Sequence, residues 1–387
     1  MSSRFLAQQE LLASSAATPS EQFIANARIA AYRARRGEID KAKAIIALVR
    51  GQPREVLGAP LLSLVNIAEG LILLKSGDAQ SAVEKWLRSR AISLSCSHAE
   101  GVAISSAWLA FAAYQAEEVG AIGEHIRIAL THGAPDYPQA ISRLCLTIGL
   151  CFHYCGDYGM ARQYYMKCHS ATTLCGDEVE LSALIYDTAA MAIHARRCAE
   201  FFDREFNEPT SGISIKLESV VSYEELVGVR SLPSLSPILL AHESVLERRW
   251  ADAIELIDQN LARSESDGYT RLVPGLLADR ALCQAMLGQV NAADADIEAS
   301  LQALNSADTH RDDLALLFSR LSQVHRLREN SLKATEFAER AIAAWSEVNA
   351  FKKHLMAVVL ESVKELAEAN SGSFQATEEL RGRNDPD

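Results

Sequence analysis

Apolar residues recur along the chain with a period near 3.6, in helix-length segments separated by short polar turns. Ala82-Val-Glu-Lys-Trp86-Leu87-Arg-Ser-Arg-Ala91 is one such segment. The punctuation is itself periodic. A hexad opening on a turn residue and closing on a small one reads Gly37-Glu-Ile-Asp-Lys-Ala42, then Gly77-Asp78-Ala-Gln-Ser-Ala82, then Gly156-Asp157-Tyr158-Gly-Met-Ala161. Further copies are Glu118-Val-Gly-Ala-Ile-Gly123, Arg248-Arg-Trp-Ala-Asp-Ala253, Gly288-Gln-Val-Asn-Ala-Ala293 and Glu329-Asn-Ser-Leu-Lys-Ala334. The closing residues are spaced 40, 41, 38, 92, 40 and 41 apart. An interval of 92 is two periods and about 12 residues more, so one degenerate repeat with an insertion is expected there. Seven residues ahead of the hexads stand Ala30, Gly70, Phe111, Gly149, Ala241, Ala281 and Ser322, all small but one.

Two marker positions per period describe a helix, a turn and a second helix. Where a hexad opens on Gly, that residue supplies a left-handed cap ending the first helix, and Asp78 or Asp157 caps the second. Small residues on either side of the turn let the two helix axes approach, the residue before the turn receiving the one after it. The structural positions are therefore Ala42, Gly70, Ala82, Gly149, Gly156, Asp157, Ala161, Ala253, Ala281, Ala293 and Ala334.

With these residues in register, Gly156-Asp157-Tyr158 foremost, the chain resembles the tetratricopeptide repeat superfamily over roughly residues 21 to 370. Its period near 40 is longer than the ordinary ~34 and resembles the long-helix variants of maltose-regulator-type activators. The resemblance implies an all-α, right-handed solenoid of about eight antiparallel helix pairs. Residues 1–20 read as a flexible lead-in and 21–198 as an N-terminal solenoid. Residues 199–236 read as an irregular insertion, 237–370 as a C-terminal solenoid and 371–387 as a disordered polar tail. Within the insertion, Ser222-Tyr-Glu-Glu225 is a capping box, and Phe201, Phe202 and Phe206 beside Pro209 raise the idea of a lid.

Composition narrows the function. Apolar residues make up 49% and aromatics 6%, so the core rests on Ala, Leu, Ile and Val. The net charge of −12 opposes tracking of a polyanion, so no nucleic-acid partner is expected. The first residues lack a sustained apolar stretch, and Leu61 to Leu74, broken by Asn66 and Glu69, is too short to span a bilayer. Eight cysteines without a secretory signal suit reduced thiols in a cytoplasm.

Sequence motifs for catalysis are lacking. There is no phosphate-binding Gly-x4-Gly-Lys-[Ser/Thr], no Gly-x-Gly-x-x-Gly and no Gly-x-Ser-x-Gly, and His242-Glu243 is followed by Leu246 where a zinc helix needs His. Cys145, Cys151, Cys155, Cys168 and Cys175 fall within one repeat beside His153. At ~1.5 Å per residue, Cys151 and Cys155 lie low on the first helix, while Cys168 and Cys175 stand roughly 15 and 25 Å up the second. They do not converge on one ion, so neither metal nor cofactor is expected, and the thiols read as small core residues. Arginines gather where first helices end: Arg33, Arg35 and Arg36; Arg196 and Arg197; Arg248 and Arg249; Arg326 and Arg328. They suit either anion clamps or the negative end of the helix dipole, and the dipole is the simpler account.

The resemblance also implies a concave face built from first helices. By register its candidates include Leu64, Ile67, Leu71, Leu74, Lys75, Trp108 and Gln115, then Arg143, Leu146, Leu150, His153 and Tyr154. From the later repeats come Ile238, His242, Val245, Leu282, Met286, Gln323 and Arg326. That largely apolar set suits an apolar or amphipathic peptide. The expected function is a non-catalytic protein- or peptide-binding scaffold. Alternatives are a regulatory sensor for a short peptide or small effector, signalling through a partner, and an enzyme on a helical array. The final helix, around Leu355-Met-Ala-Val-Val-Leu360, keeps an apolar stripe that suits either an internal cap or self-association.

Overall fold

The computed structural model describes residues 3–202, 222–223, 235–266, 269–305 and 309–381, with side chains described as far as residue 364. The described residues form sixteen α-helices and no strand. The chain falls into two compact units, one of Ser2–Leu181 with Lys353–Asp387 and one of Ser182–Lys352. These limits differ from the breaks expected near 198 and 237, because periodicity marks where repeats lapse and not which segments pack together.

The first unit holds α1 (Arg4–Ser14) and four helix pairs. These are α2 (Pro19–Arg35) with α3 (Ile39–Arg50), α4 (Ala59–Lys75) with α5 (Ala79–Ser95), α6 (Ala99–Gln115) with α7 (Val119–Thr131), and α8 (Pro138–Tyr154) with α9 (Tyr158–Cys175). First helices pack on first helices, α2 on α4, α4 on α6 and α6 on α8. They are apolar on nearly every side, as helices enclosed by neighbours must be. The second helices bury only a stripe, such as Ala42, Ile46 and Val49 of α3. The division between units falls inside α10 (Glu178–Phe201).

The second unit contains α11 (Leu235–Leu246) and α12 (Trp250–Ser266), α13 (Val273–Met286) and α14 (Val290–Leu304), then α15 (Arg311–Leu327). The last helix, α16 (Ser331–Arg381), begins in this unit. Again α13 packs on both α11 and α15. Phe318 of α15 stacks on Phe337 of α16, 6.2 Å between ring centres.

The turns form as the hexads require. Gly37, Gly77, Gly156 and Gly288 have φ of 86°, 84°, 86° and 74°, the left-handed conformation that costs glycine least. Asp78 accepts the Ser81 amide and Asp157 the Met160 amide, each at 3.0 Å, capping α5 and α9. Ala42, Ala82, Ala161, Ala253, Ala293 and Ala334 are all buried.

The third repeat corrects the sequence register by one residue. Its left-handed turn residue is Glu117, φ 56°, not Glu118. The closing residue is then Ile122, fully buried, and the residue seven before the turn is Ala110 instead of Phe111. With that shift the pre-turn position is small in all seven repeats. Gly123 is small for another reason, since a Cβ there would stand 2.4 Å from Val358 Cγ1 of α16.

The packing across the pairs also differs from the expected small-on-small contact. A Cβ on Gly70 would lie 2.4 Å from Trp86 Nε1, and one on Gly149 would lie 2.6 Å from the Tyr165 ring. Each of these two glycines therefore receives an aromatic side chain four residues beyond the closing alanine. Where the first-helix residue is alanine (Ala30, Ala110, Ala241, Ala281), that partner position holds a buried isoleucine: Ile46, Ile126, Ile257, Ile297. Glycine goes with an aromatic and alanine with isoleucine, which conserves volume across the pair. In the last pair Ser322 instead donates a hydrogen bond to the Ala334 carbonyl at 2.8 Å.

Both chain ends depart from the sequence reading. The expected flexible lead-in is α1, capped by Ser3 and docked through Phe5, whose ring stacks on Tyr32 at 5.1 Å. Ser3 donates to Glu178 at 2.6 Å, and a Thr18–Glu21 capping box starts α2 at Pro19. At the other end α16 carries helical backbone past Ser371 to Arg381. Its apolar stripe is internal, for Leu355 and Val359 are fully buried and Val358 and Ser362 cover Gly123. The lid residues Phe206 and Pro209, and most of residues 199–236, lie outside the described residues. Phe202 stacks face to face on Trp345 at 4.4 Å within its own unit.

Candidate functional site

First-helix residues converge on one cleft in each unit. In the first unit, Ala27, Ala31, Leu64, Ile67, Leu71, Ile104 and Trp108 wall a shallow cleft. Its polar margin is Arg28, Arg35, Gln139 and Glu180. Sequence register placed Leu64, Ile67, Leu71 and Trp108 on this face, and the structure brings the four together.

The polar margin rests on a buried charge network. Arg35 donates to Asp177 at 2.7 Å and to Glu180 at 3.2 Å, and Arg143 donates to the same Glu180 oxygen at 2.7 Å. The Arg143 guanidinium lies 4.1 Å from the Trp108 ring centre and 4.8 Å from that of Phe111. Trp108 in turn stacks on Trp86 at 5.6 Å, so the cleft wall is tied to the Gly70–Trp86 contact. Two atoms at the heart of this network, Arg143 Nε and Glu180 Oε1, are buried without a hydrogen-bond partner. Arg28 holds Glu100 through two nitrogens, at 3.1 and 2.8 Å.

Several predicted face residues are absorbed by packing. His153 is buried, with Nδ1 3.2 Å from the Tyr165 hydroxyl and its ring edge-on to Tyr158. Leu150 and Tyr154 are buried in α8, and Arg143 serves the network instead of the opening. Lys75 is half-buried and Arg326 exposed, and neither lines a cleft. The first-helix layer is thus largely filled by the chain itself, and the open part of the face is confined to the clefts.

In the second unit, Arg197, His242, Arg271, Leu272, Gly275, Asp313, Leu316, Leu317 and Arg320 line a small cleft open to solvent. His242 was expected on this face. Behind it, the fully buried Asp279 accepts Arg197 at 2.8 Å, His242 Nδ1 at 3.0 Å and Arg320 Nε at 2.8 Å. Burial opposes the Asp279 charge, but these three donors hold its carboxyl well below the usual range. Burial, then the neighbouring Arg197 charge, lowers His242, which favours neutral imidazole. Arg320 continues to Glu200 at 2.9 Å.

The arginine-rich helix ends divide accordingly. Arg33 pairs locally with Glu38 and Arg249 with Glu247 and Asp252. Arg35 and Arg197 are buried centres of networks, a distinction that the dipole argument does not make. Sequence reasoning missed Asp177, Glu180, Asp279 and Arg320 altogether. Five cysteines near the fourth repeat are core or half-buried thiols, and burial pushes Cys145 up to about 12. No helix among the described residues is long and apolar enough to cross a membrane. Compared with protein-family models and with curated proteins, the chain matches none.

Proposed function

We propose that the chain is a tetratricopeptide-like helical-repeat protein with a non-catalytic, cytoplasmic recognition role, taking a short apolar segment of a peptide partner into the first-unit cleft. The observation that carries this reading is the convergence of Leu64, Ile67 and Leu71 of α4 with Trp108 of α6, and Ala27 and Ala31 of α2, on one opening. An apolar wall with a few fixed polar groups at its margin is the usual composition of a recognition pocket. Arg28 and Gln139 would orient the backbone of a segment whose side chain enters between Ala31 and Leu71.

A small effector is the second reading. It is favoured by how little of the face stays open, since the shallow cleft suits a single small side chain or a small group and not a long helix. In either case the mechanism is occupancy of a preformed site, with the Arg35–Glu180–Arg143 network holding the margin rigid.

Selection of peptides from a displayed random library against the full chain tests the proposal. Ala31→Trp, which fills the cleft without removing a core side chain, is the control. Expected is a consensus with an aliphatic or aromatic anchor, its affinity falling at least ~10-fold (about 1.4 kcal/mol) in the variant at unchanged melting temperature. Peptides bound equally by both proteins would refute the site. Melting shifts with small molecules that vanish in Ala31→Trp, without selected peptides, would establish the effector reading.

A further inference from the structure

We propose that the cleft of the second unit is a binding site for a small oxyanion, which takes Arg271 and the unpartnered Nε of Arg197 while Asp313 yields its place. The site is distinct from the peptide cleft and does not depend on it. Three guanidinium groups, Arg197, Arg271 and Arg320, line this cleft against one carboxylate, Asp313. Two further acids of the neighbourhood, besides Asp312, are already committed. Asp279 is saturated by Arg197, His242 and Arg320, and Glu200 is held by Arg320.

The arginines are not all satisfied. Arg197 is 7% exposed, and its Nε is buried with no hydrogen-bond partner. Arg271, on the short turn before α13, has a side chain one-third exposed and reaches Asp313 only at 3.3 Å, a long contact for an ion pair. A better-placed oxyanion competes for it on favourable terms.

The space for it is built into α13. Gly275 lines the cleft, and a Cβ added there would meet nothing within 4 Å. Nothing in the packing asks for glycine inside this helix, where alanine would be favoured. Gly275 shares the cleft lining with Arg271, Leu272, Leu316 and Leu317, and its lack of a side chain leaves room there.

Asp313 supplies the exchange. It adjoins Asp312 on α15, and α15 also presents Arg320. The charges that act on it are Asp312 beside it, Arg271 of the turn and Arg197 of α10; His242 of α11 and Arg320 share the cleft lining, and His310 ahead of α15 contacts Arg271. His194 is engaged with Asp312 at 3.2 Å, and His310 Nδ1 lies 2.9 Å from Arg271. Burial, then the Asp312 charge, raises Asp313 above the ordinary carboxylate range. Replacing its negative charge at Arg271 by that of the ligand therefore costs least at mildly acidic pH. Binding should strengthen as the pH falls.

The experiment is equilibrium dialysis of the full chain with labelled sulfate, which unlike phosphate does not titrate between about pH 5 and 8. Acetate is run as a competitor, to separate a tetrahedral oxyanion from a carboxylate. Expected is saturable binding that tightens several-fold between about pH 7.5 and 5.5, weakens at least ~10-fold in Arg271→Ala and is abolished by Gly275→Leu. Asp313→Asn should bind more tightly than the parent and without the pH trend. Circular dichroism confirms that each variant is folded, and Gly275→Leu, which removes no interaction, decides the matter if Arg271→Ala is not. Competition by acetate at equal concentration assigns a carboxylate ligand, and its failure a sulfate- or phosphate-like one; both support the site. Lack of saturable binding of either ion, binding unaltered by Gly275→Leu, or a pH trend that persists in Asp313→Asn overturns it.

Discussion

Gly149 and Tyr165 offer the sharpest test of how the helix pairs are held together. A methyl group on Gly149 would sit 2.6 Å from two ring carbons of Tyr165, well inside van der Waals contact. The ring has little freedom to move aside. Tyr165 is buried, and its hydroxyl lies 3.2 Å from His153 Nδ1. Overpacking of this kind costs about 1–3 kcal/mol, and a pinned ring belongs at the upper end. Against that, alanine is favoured over glycine inside a helix by about 1 kcal/mol. Gly149→Ala should therefore destabilise the parent by a net ~1–2 kcal/mol. In a Tyr165→Ile background, which reproduces the alanine–isoleucine pairing of four other repeats, the collision is gone and only the propensity gain remains. There Gly149→Ala should stabilise by ~0.5–1 kcal/mol, a coupling of roughly 2–3 kcal/mol across the cycle. Urea unfolding of the four proteins, followed by circular dichroism and tryptophan fluorescence, measures this. Two probes are needed because repeat arrays can unfold in parts. A Gly149→Ala effect of the same sign and size in both backgrounds would refute the volume-exchange argument.

Three further outcomes are expected. Phe5→Ala should cost about 3 kcal/mol or more, because Phe5 is buried against Tyr32; an unchanged melting temperature would mean that α1 is not docked. Asp279→Asn leaves Arg197 and Arg320 buried without their shared counter-charge and should cost ~3–5 kcal/mol in chemical denaturation, and a loss below ~1 kcal/mol would show the network to be dispensable. His125 accepts Arg90 at 2.9 Å, and burial and that positive charge hold its pKa down to about 4. The unfolded chain, with a His pKa near 6.5, then binds the extra proton, so this contribution is complete above ~6.5 and is lost as the pH falls toward 4. His125→Gln should flatten the fall in melting temperature between about pH 7 and 5, and an NMR titration placing His125 near 6.5 would sink the argument.

Much of the fold was legible because it recurs. A left-handed turn residue and a buried closing residue, alanine in six copies, recur through seven copies about 40 residues apart except across the central insertion. Glycine stands at four of the turns and a capping aspartate at two, and seven copies outweigh the weakness of any one. The register, read through the resemblance to tetratricopeptide-type repeats, implied that Leu64, Ile67, Leu71 and Trp108 share one face. Where a copy was degenerate the register slipped. Glu117 carries a left-handed turn without the glycine that would have marked it, and the pattern Glu118-x4-Gly123 imitated a hexad one residue late. Gly123 is small on account of Val358, 235 residues away, and that lies outside any local pattern. The docking of α1 escaped for a similar reason. Its anchor is a single phenylalanine whose partner, Tyr32, has no counterpart in the other repeats.

The chemistry of both clefts was hidden by the same physics. Arg35 meets acids 142 and 145 residues on, and Arg197 meets Asp279 after 82. Contacts of that kind occur once each, so nothing in a single sequence repeats to reveal them, and their arginines read like any cation at a helix end. A helical array carries its scaffold in what its repeats share. Recognition of one ligand requires positions at which they differ, since a face identical in every repeat would present the same group at every step. The residues least legible by periodicity, Arg35, Glu180, Arg197, Gly275 and Arg320, are accordingly the ones that line the openings. In the first unit those irregular groups stand at the margin of a regular apolar wall. In the second they form most of the wall, and the two clefts should therefore differ in the ligands they accept, as the peptide selection and the sulfate dialysis can each show.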